Sequence, residues 1–257
     1  MNLFFRRSGS GKPLVILHGL FGISDNWASL ARQWAEHFTV YAVDLRNHGQ
    51  SPHAEEWNYS VMAEDLVELF GTEKLNEVIL LGHSMGGKVG MRLALDFPQA
   101  VSKLIVSDIA PKVYPENNRH VADALLKVQP QNLASRKEAE AVLMRELNDP
   151  GTVQFLLKNL YWVETNGARH LDWRFNLDVI SRKLNAVSEA TDSPAPCNVE
   201  TLFVRGDRSN YITADDESGI ARIFPGSEII TIPNAGHWIH ADNPKAMYDA
   251  VIEFAGH

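Results

Sequence analysis

Cysteine is almost missing from this 257-residue sequence: Cys197 is the single thiol. No internal disulfide can form and no cysteine-built metal site is possible, a usage that suits a reducing compartment; Cys197 itself reads as an inert small side chain. Long apolar runs are missing too. No stretch approaches the roughly 18 apolar residues of a membrane span, and the start Met1-Asn2-Leu3-Phe4-Phe5-Arg6-Arg7 has neither the apolar segment nor the cleavage site of a secretory leader. The expectation is a cytoplasmic protein with no membrane partner. Clustered positive charge is the third absence. Lys and Arg total 24 against 32 Asp and Glu, a formal net charge of -8, which argues against nucleic acid or an anionic surface as the main partner. The remainder, 45% hydrophobic and 22% charged, is ordinary for one large globular domain with room for an insertion.

Among what is present, one stretch stands out. Val78-Ile79-Leu80-Leu81 runs into Gly82-His83-Ser84-Met85-Gly86-Gly87 and then into the helix-like Lys88 to Phe97. This pattern predicts a strand turning sharply into a helix with Ser84 at the apex, the flanking glycines removing side chains that would clash in so tight a turn. Such an elbow exposes the Ser84 hydroxyl at a helix N-terminus and frees the Met85 amide as an oxyanion donor. The five-residue pattern alone is equally met by a glycine-rich strand–helix joint without chemistry, so the rest of the chain decides.

Leu14 to Leu17 is a short strand, apolar on both faces, as in a parallel sheet covered by helices on both sides. It opens into His18-Gly19-Leu20-Phe21-Gly22, which could supply the Leu20 amide as the second oxyanion donor. His18 reads as a brace for this loop. Asn26 to Glu36 is an amphipathic helix whose Trp27 and Trp34 read as core. Val40 to Asp44 is the next strand, followed by a turn-rich loop through Arg46, His48 and Ser51 that reads as a buried network. A helix is expected from about Val61 to Leu75 with Ser60 as its cap. Val101 to Val106 is a further strand, ending at Ser107-Asp108. Alternating strands and helices imply βα units, a parallel sheet and functional loops at the carboxyl ends of the strands.

From about Pro115 to Val187 the segments read as helices (Asn118 to Val128, Ser135 to Leu147, Val153 to Leu160, Asp178 to Val187), with no convincing strand. The expectation is an inserted helical lid, with Tyr161, Trp162, Trp173 and Phe175 able to line an acyl crevice or to hold the lid together. Sheet patterning resumes at Glu200 to Val204, then a helix over Asp215 to Phe224, a strand over Glu228 to Ile232, and a closing helix over Pro244 to Phe254. His237 follows the last strand and a flexible Gly236, the placement a general base needs; His240 and His257 read as surface or lid-contacting.

Gly82-His83-Ser84-Met85-Gly86-Gly87, the upstream His18-Gly19, the Asp44-x-Arg46-x-His48-Gly49-x-Ser51 loop and Gly236-His237 together resemble the α/β-hydrolase superfamily, in order and over nearly the whole chain. Asn26-Trp27, Ser107-Asp108-Ile109-Ala110-Pro111 and Asn234-Ala235-Gly236-His237-Trp238-Ile239-His240-Ala241 narrow this to a likeness to the YbfF-type esterases and their abhydrolase-domain relatives. The resemblance implies an α/β fold with a mostly parallel central sheet: a core domain over 1–112 and 188–257, and a helical cap over 113–187. It also implies a carboxylic-ester or thioester hydrolase for short acyl chains, without metal or cofactor. The expected partner is a small-molecule ester, and the expected assembly a monomer or homodimer.

The chemistry stands beside that likeness. Ser84 needs a base to take its proton, and His237, an imidazole with an ordinary pKa near about 6.5, can accept it and return it to the leaving group. Leu20 and Met85 would stabilise the tetrahedral oxyanion, each such donor being worth about 2.7–4 kcal/mol in a comparable enzyme. Phe21, His83, Trp238 and Tyr211 are candidate substrate contacts. The acid departs from the common superfamily pattern, whose position is occupied here by Ser209. Asp207 lies two residues earlier, roughly 6–7 Å short at a rise of about 3.3 Å per residue. Asp108, ending the strand beside the nucleophile strand, is therefore the expected acid, with Asp207 capping its own turn. A hydrolase-fold binding or signalling protein, a perhydrolase and a carbon–carbon bond hydrolase remain alternatives.

Overall fold

A computed structural model describes residues 1–115, 118–165 and 167–256. Seven strands form the central sheet: β1 (Phe5–Gly9), β2 (Pro13–Leu17), β3 (Thr39–Val43), β4 (Val78–His83) and β5 (Val101–Ser107), then β8 (Glu200–Gly206) and β9 (Glu228–Ile232) after an excursion that contains β6 (Leu160–Thr165) and β7 (Ala168–Trp173). The spatial order is β1-β3-β2-β4-β5-β8-β9, with β1 antiparallel to β3 and every other pairing parallel. β1 is a largely exposed edge strand, and its arginines hide it from any reading by hydrophobic pattern.

The strands are apolar because both faces are covered. Val15, Leu17, Leu80, Leu104 and Val106 pack on one side with α2 (Tyr59–Glu73) and α3 (Met85–Asp96). Leu14, Ile16, Ile79, Leu81 and Ile105 pack on the other with α1 (Ala28–Trp34) and the C-terminal α10 (Pro244–Ala255). Each fully buried Leu, Ile or Phe contributes about 1.5–3 kcal/mol, so this two-faced core is the main support of the site above it. Trp27 and Trp34 are buried in the second layer as expected, 1% and 0% exposed. The cap of α2 is Asn58, which accepts from the Val61 amide, and not Ser60, which lies inside the helix.

Between β5 and β8 the chain leaves the sheet and builds α4 (Arg119–Lys127), α5 (Arg136–Leu147), α6 (Pro150–Leu157) and α7 (Leu177–Arg182). The expected all-helical lid is corrected by the antiparallel hairpin β6–β7, paired from Leu160↔Trp173 to Thr165↔Ala168. Its strands alternate buried and exposed only weakly, so the period-2 signal is faint. The informative clue is the dipeptide Asn166-Gly167 between two β-prone runs, a strong hairpin signal. Two short helices after β8, α8 (Glu217–Ile223) and α9 (Ile239–Asp242), complete the core. His257 lies outside the described residues.

Candidate active site

Ser84 stands between β4 and α3 at φ 52, ψ -116, a backbone conformation that L residues rarely adopt. The turn is possible because its neighbours lack side chains. A Cβ on Gly86 would lie 2.6 Å from the Leu17 carbonyl oxygen, and one on Gly82 would lie 2.2 Å from the Gly86 carbonyl oxygen. Parallel pairing of His83 with Ser107, continued by Ser84 N–H donating to the Ser107 carbonyl at 3.0 Å, sets the serine level with the end of β5.

One residue later Asp108 also takes a positive φ of 53. That turn directs its buried carboxylate past the end of β8, where Oδ1 accepts the Gly206 amide at 3.2 Å. Oδ2 lies 2.7 Å from His237 Nδ1, and His237 Nε2 lies 3.1 Å from Ser84 Oγ. The structure thus brings the serine, the histidine and Asp108 into one hydrogen-bonded row. Asp207 is not in it. Its Oδ1 accepts the Ala235 amide at 3.0 Å, and the Asn234 and Ala235 amides hold its carboxyl below the ordinary range. It therefore caps chiefly the turn that leads to His237, with a lesser contribution from its own backbone. Ser209, whose hydroxyl donates to Asp108 Oδ2, adds a support that no sequence motif announces.

The loop after β2 is fixed by histidines that cannot act as bases. His18 Nδ1–H donates to the Gly19 carbonyl at 2.7 Å while its Nε2 accepts the Leu45 amide at 3.0 Å. His48 accepts the Phe21 amide at 3.2 Å and donates through Nδ1 to the Arg46 carbonyl. Burial lowers their pKa values to about 4 and about 3, so both remain neutral hydrogen-bond bridges. Asp44 ties down the same region through the Ser24 and Gln50 amides, and Arg46 is paired with Asp65. Leu20 and Met85 both border Ser84, and among the described residues neither amide is taken up by another protein group.

Two cavities meet at Ser84. The larger, about 400 Å³, is bordered by Phe21, His83, Phe155, His237 and Trp238, with Tyr211 at its edge. The smaller, about 40 Å³, is bordered by Leu20, Met85, Ile109, Tyr114 and Leu184 and also touches Tyr211. All four expected contacts, Phe21, His83, Trp238 and Tyr211, therefore face cavity space. His83 also steadies the loop of His237, its Nε2–H donating to the His237 carbonyl at 2.8 Å. Of the two roles open to the lid aromatics, holding the lid together is the one seen for Trp173 and Phe175, and lining the crevice is not. Trp173 and Phe175 are buried against each other, Trp162 is 38% exposed, Tyr161 carries Arg174 on its face, and none of the four borders either cavity. His240 is also corrected: it stacks on Trp27 at 4.3 Å between ring centroids and lies against His83, with its pKa lowered by burial to about 4. Cys197 is buried beneath the Ala94 carbonyl, its thiol pKa raised by burial.

Known proteins resemble this chain in sequence and fold over most of its length. The chain is 38% identical over 250 residues to the sn-1-specific diacylglycerol lipase ABHD11 of Mus musculus, covering 94% of this chain and 80% of that one. It is 34% identical over 247 residues to the esterase YbfF of Escherichia coli, covering 95% and 93%. The solved structure of a marine microorganism esterase superposes with a TM-score of 0.94 at 41% identity, over 98% of each chain. The sequence profile of the α/β hydrolase fold matches residues 12–244, and the chain belongs to the α/β hydrolase family.

Proposed function

We propose that this protein is a serine esterase that hydrolyses short-chain carboxylic esters, and acyl thioesters of similar size, through an acyl-enzyme on Ser84. The observation that carries the reading is the row Ser84 Oγ–His237–Asp108, with distances of 3.1 and 2.7 Å. His237 Nε2 takes the Ser84 proton as Oγ attacks the carbonyl carbon. The Leu20 and Met85 amides hold the oxygen that becomes negative. Asp108 keeps the Nδ1–H tautomer and stabilises the imidazolium, which then protonates the leaving alcohol. Water, deprotonated by the same imidazole, releases the acid from Ser84.

The two cavities support an assignment of the two halves of the substrate. The departing oxygen must receive its proton from His237, which borders the larger cavity and not the smaller. The alcohol therefore occupies the 400 Å³ space and the acyl group the 40 Å³ slot. A slot of that size holds only a few heavy atoms, which supports the short-acyl limit. Among the described residues no helix is long and apolar enough to cross a membrane. The proposal places the enzyme in the cytoplasm as a monomer or homodimer acting on small molecules, without nucleic acid or membrane as partner.

Hydrolysis of a chain-length series of nitrophenyl esters, run in parallel with acyl thioesters, tests this. Acetate to butyrate should be turned over far faster than decanoate, and Ser84→Ala should abolish the activity. Equal rates across the series would overturn the short-acyl assignment, and absence of any Ser84-dependent hydrolysis would overturn the esterase reading itself.

A further inference from the structure

His237 stands on a loop, its side chain 24% exposed, so packing alone does not hold its ring. The bonds to Asp108 and Ser84 lie in the ring plane and leave tilting out of that plane unopposed. On one face lies the ring of Tyr211, with centroids 3.8 Å apart and planes within 15°. Tyr211 is itself held. Its carbonyl accepts the Tyr114 hydroxyl at 2.5 Å, and the Tyr114 ring stacks behind it at 5.4 Å. That same Tyr114 hydroxyl accepts the amide of Ala110 at 2.8 Å. Ala110 lies two residues beyond Asp108 on the loop leaving β5, and the Tyr211 amide lies 3.3 Å from the Ser209 hydroxyl that bonds Asp108.

From this geometry we infer that Tyr114 and Tyr211 are positioning residues for ester hydrolysis. One hydroxyl ties the loop that carries the acid to the aromatic ring that covers the base. The inference rests on the esterase reading above and adds to it two residues whose hydrogen bonds run to each other, to Ala110 and to Ser209, and not to Ser84, Leu20 or Met85. The brace works because the Tyr114 hydroxyl both donates and accepts; burial raises its pKa, so it keeps its proton wherever the protein is folded. The ring of Tyr211 also presents its electron-rich face to the imidazole as this becomes a cation, an attraction that is stronger in the charged transition state than in the resting enzyme.

Tyr114→Phe isolates the brace, because it keeps the ring that borders the acyl slot and deletes only the two bonds. We expect kcat to fall about ten-fold with KM within about two-fold, the size of effect that sub-ångström misplacement of a catalytic group produces. Tyr211→Leu should cost more, Tyr211→Phe should restore most of the lost turnover because the stacked ring is kept, and Tyr114→Phe combined with Tyr211→Leu should fall short of the product of the single effects. A readout independent of turnover is the downfield proton resonance of His237 Nδ1–H in the whole protein. It should be sharp in the wild type and broadened or shifted in Tyr114→Phe. A folded Tyr114→Phe with unchanged kcat and an unchanged resonance overturns the inference, as does a rise in KM alone, which would make the tyrosines substrate contacts. If the wild type shows the resonance but no hydrolysis, the esterase reading fails while the brace is still judged on the resonance.

Discussion

The sheet core and the cap are built to different standards. In the core every residue of β4 is buried, and Gly82 and Gly86 of the Ser84 turn lie hard against backbone. In the cap the hairpin exposes much of its length, and the cap joins the core through apolar packing, Phe175 meeting Phe21 edge-on with ring centroids 5.3 Å apart, and through polar clasps. Asn159 donates to the Phe21 carbonyl at 2.8 Å, and Asn176 N–H to the Asn47 carbonyl at 2.8 Å. Lys88, buried on α3, donates to the carbonyls of Lys112 and Glu189, one before and one after the cap. A core held by apolar packing on two faces fixes the Ser84 turn, while the exposed hairpin of the cap can be altered without unmaking that turn.

The sharpest way to break this contrast is at the elbow. Gly86→Val should leave no stably folded protein, since its Cβ alone would press within 2.7 Å of the Leu17 and His18 carbonyl oxygens; a cooperative urea transition close to that of the wild type would show that the elbow is less enclosed than described. Next in size, Asp108→Asn should lower kcat about 10³–10⁴-fold. Asp207→Asn should stay within about ten-fold, as befits a turn cap; the reverse order in steady-state assays would transfer the acid to Asp207.

Acid should loosen the core before the cap. His18, His48 and His240 titrate in the folded protein at about 4, about 3 and about 4, below the ordinary 6.5. Between pH 6.5 and 4 the unfolded chain binds protons that the folded chain refuses, so stability falls as pH falls, by up to about 1.4 kcal/mol per pH unit for each histidine. Hydrogen exchange at pH 7 and 5 should show protection lost first around His18 and His48, with the β6–β7 amides changed least. Lys88 works at the other end of the scale. Burial, with a smaller contribution from Lys112, lowers its pKa from 10.5 to about 7, so the folded chain lacks a proton that the unfolded chain holds above pH 7. Stability should therefore rise from pH 7 toward pH 9 by up to about 1.4 kcal/mol per unit, and Lys88→Met should flatten that slope in paired denaturation curves. The smallest effect belongs to the cap. At Gly167, φ is 76 and a Cβ would meet nothing within 4 Å, so Gly167→Ala should cost only about 1–2 kcal/mol of backbone strain and leave kcat unaffected.

Much of the core is legible in the sequence because its signals are local. An apolar run followed by Gly82-x-Ser84-x-Gly86 can be read without knowing what surrounds it, and so can a histidine after a last strand. The cap hairpin is not legible in the same way: its strands bury few residues, so the alternation that announces a strand is faint, and the sequence pair Asn166-Gly167 between them is the clearest sign of a hairpin. His240 misleads for a related reason, since nothing near it in sequence announces Trp27 and His83, which lie against it.

By itself the sequence determined the βα order, the elbow at Ser84 and the loop origin of His237, because each follows from backbone preference and hydrophobic period over a few neighbouring residues. Only the tertiary structure decided how the carboxylates divide their work. Asp108 and Asp207 both end strands, and what separates them is the positive φ at Asp108 and the register that sets β5 beside β4, which aim one carboxylate at His237 and leave the other on a turn. The tyrosine pair behind His237 came from the fold as well. Tyr114 and Tyr211 are 97 residues apart, and no local pattern records a hydrogen bond across that distance.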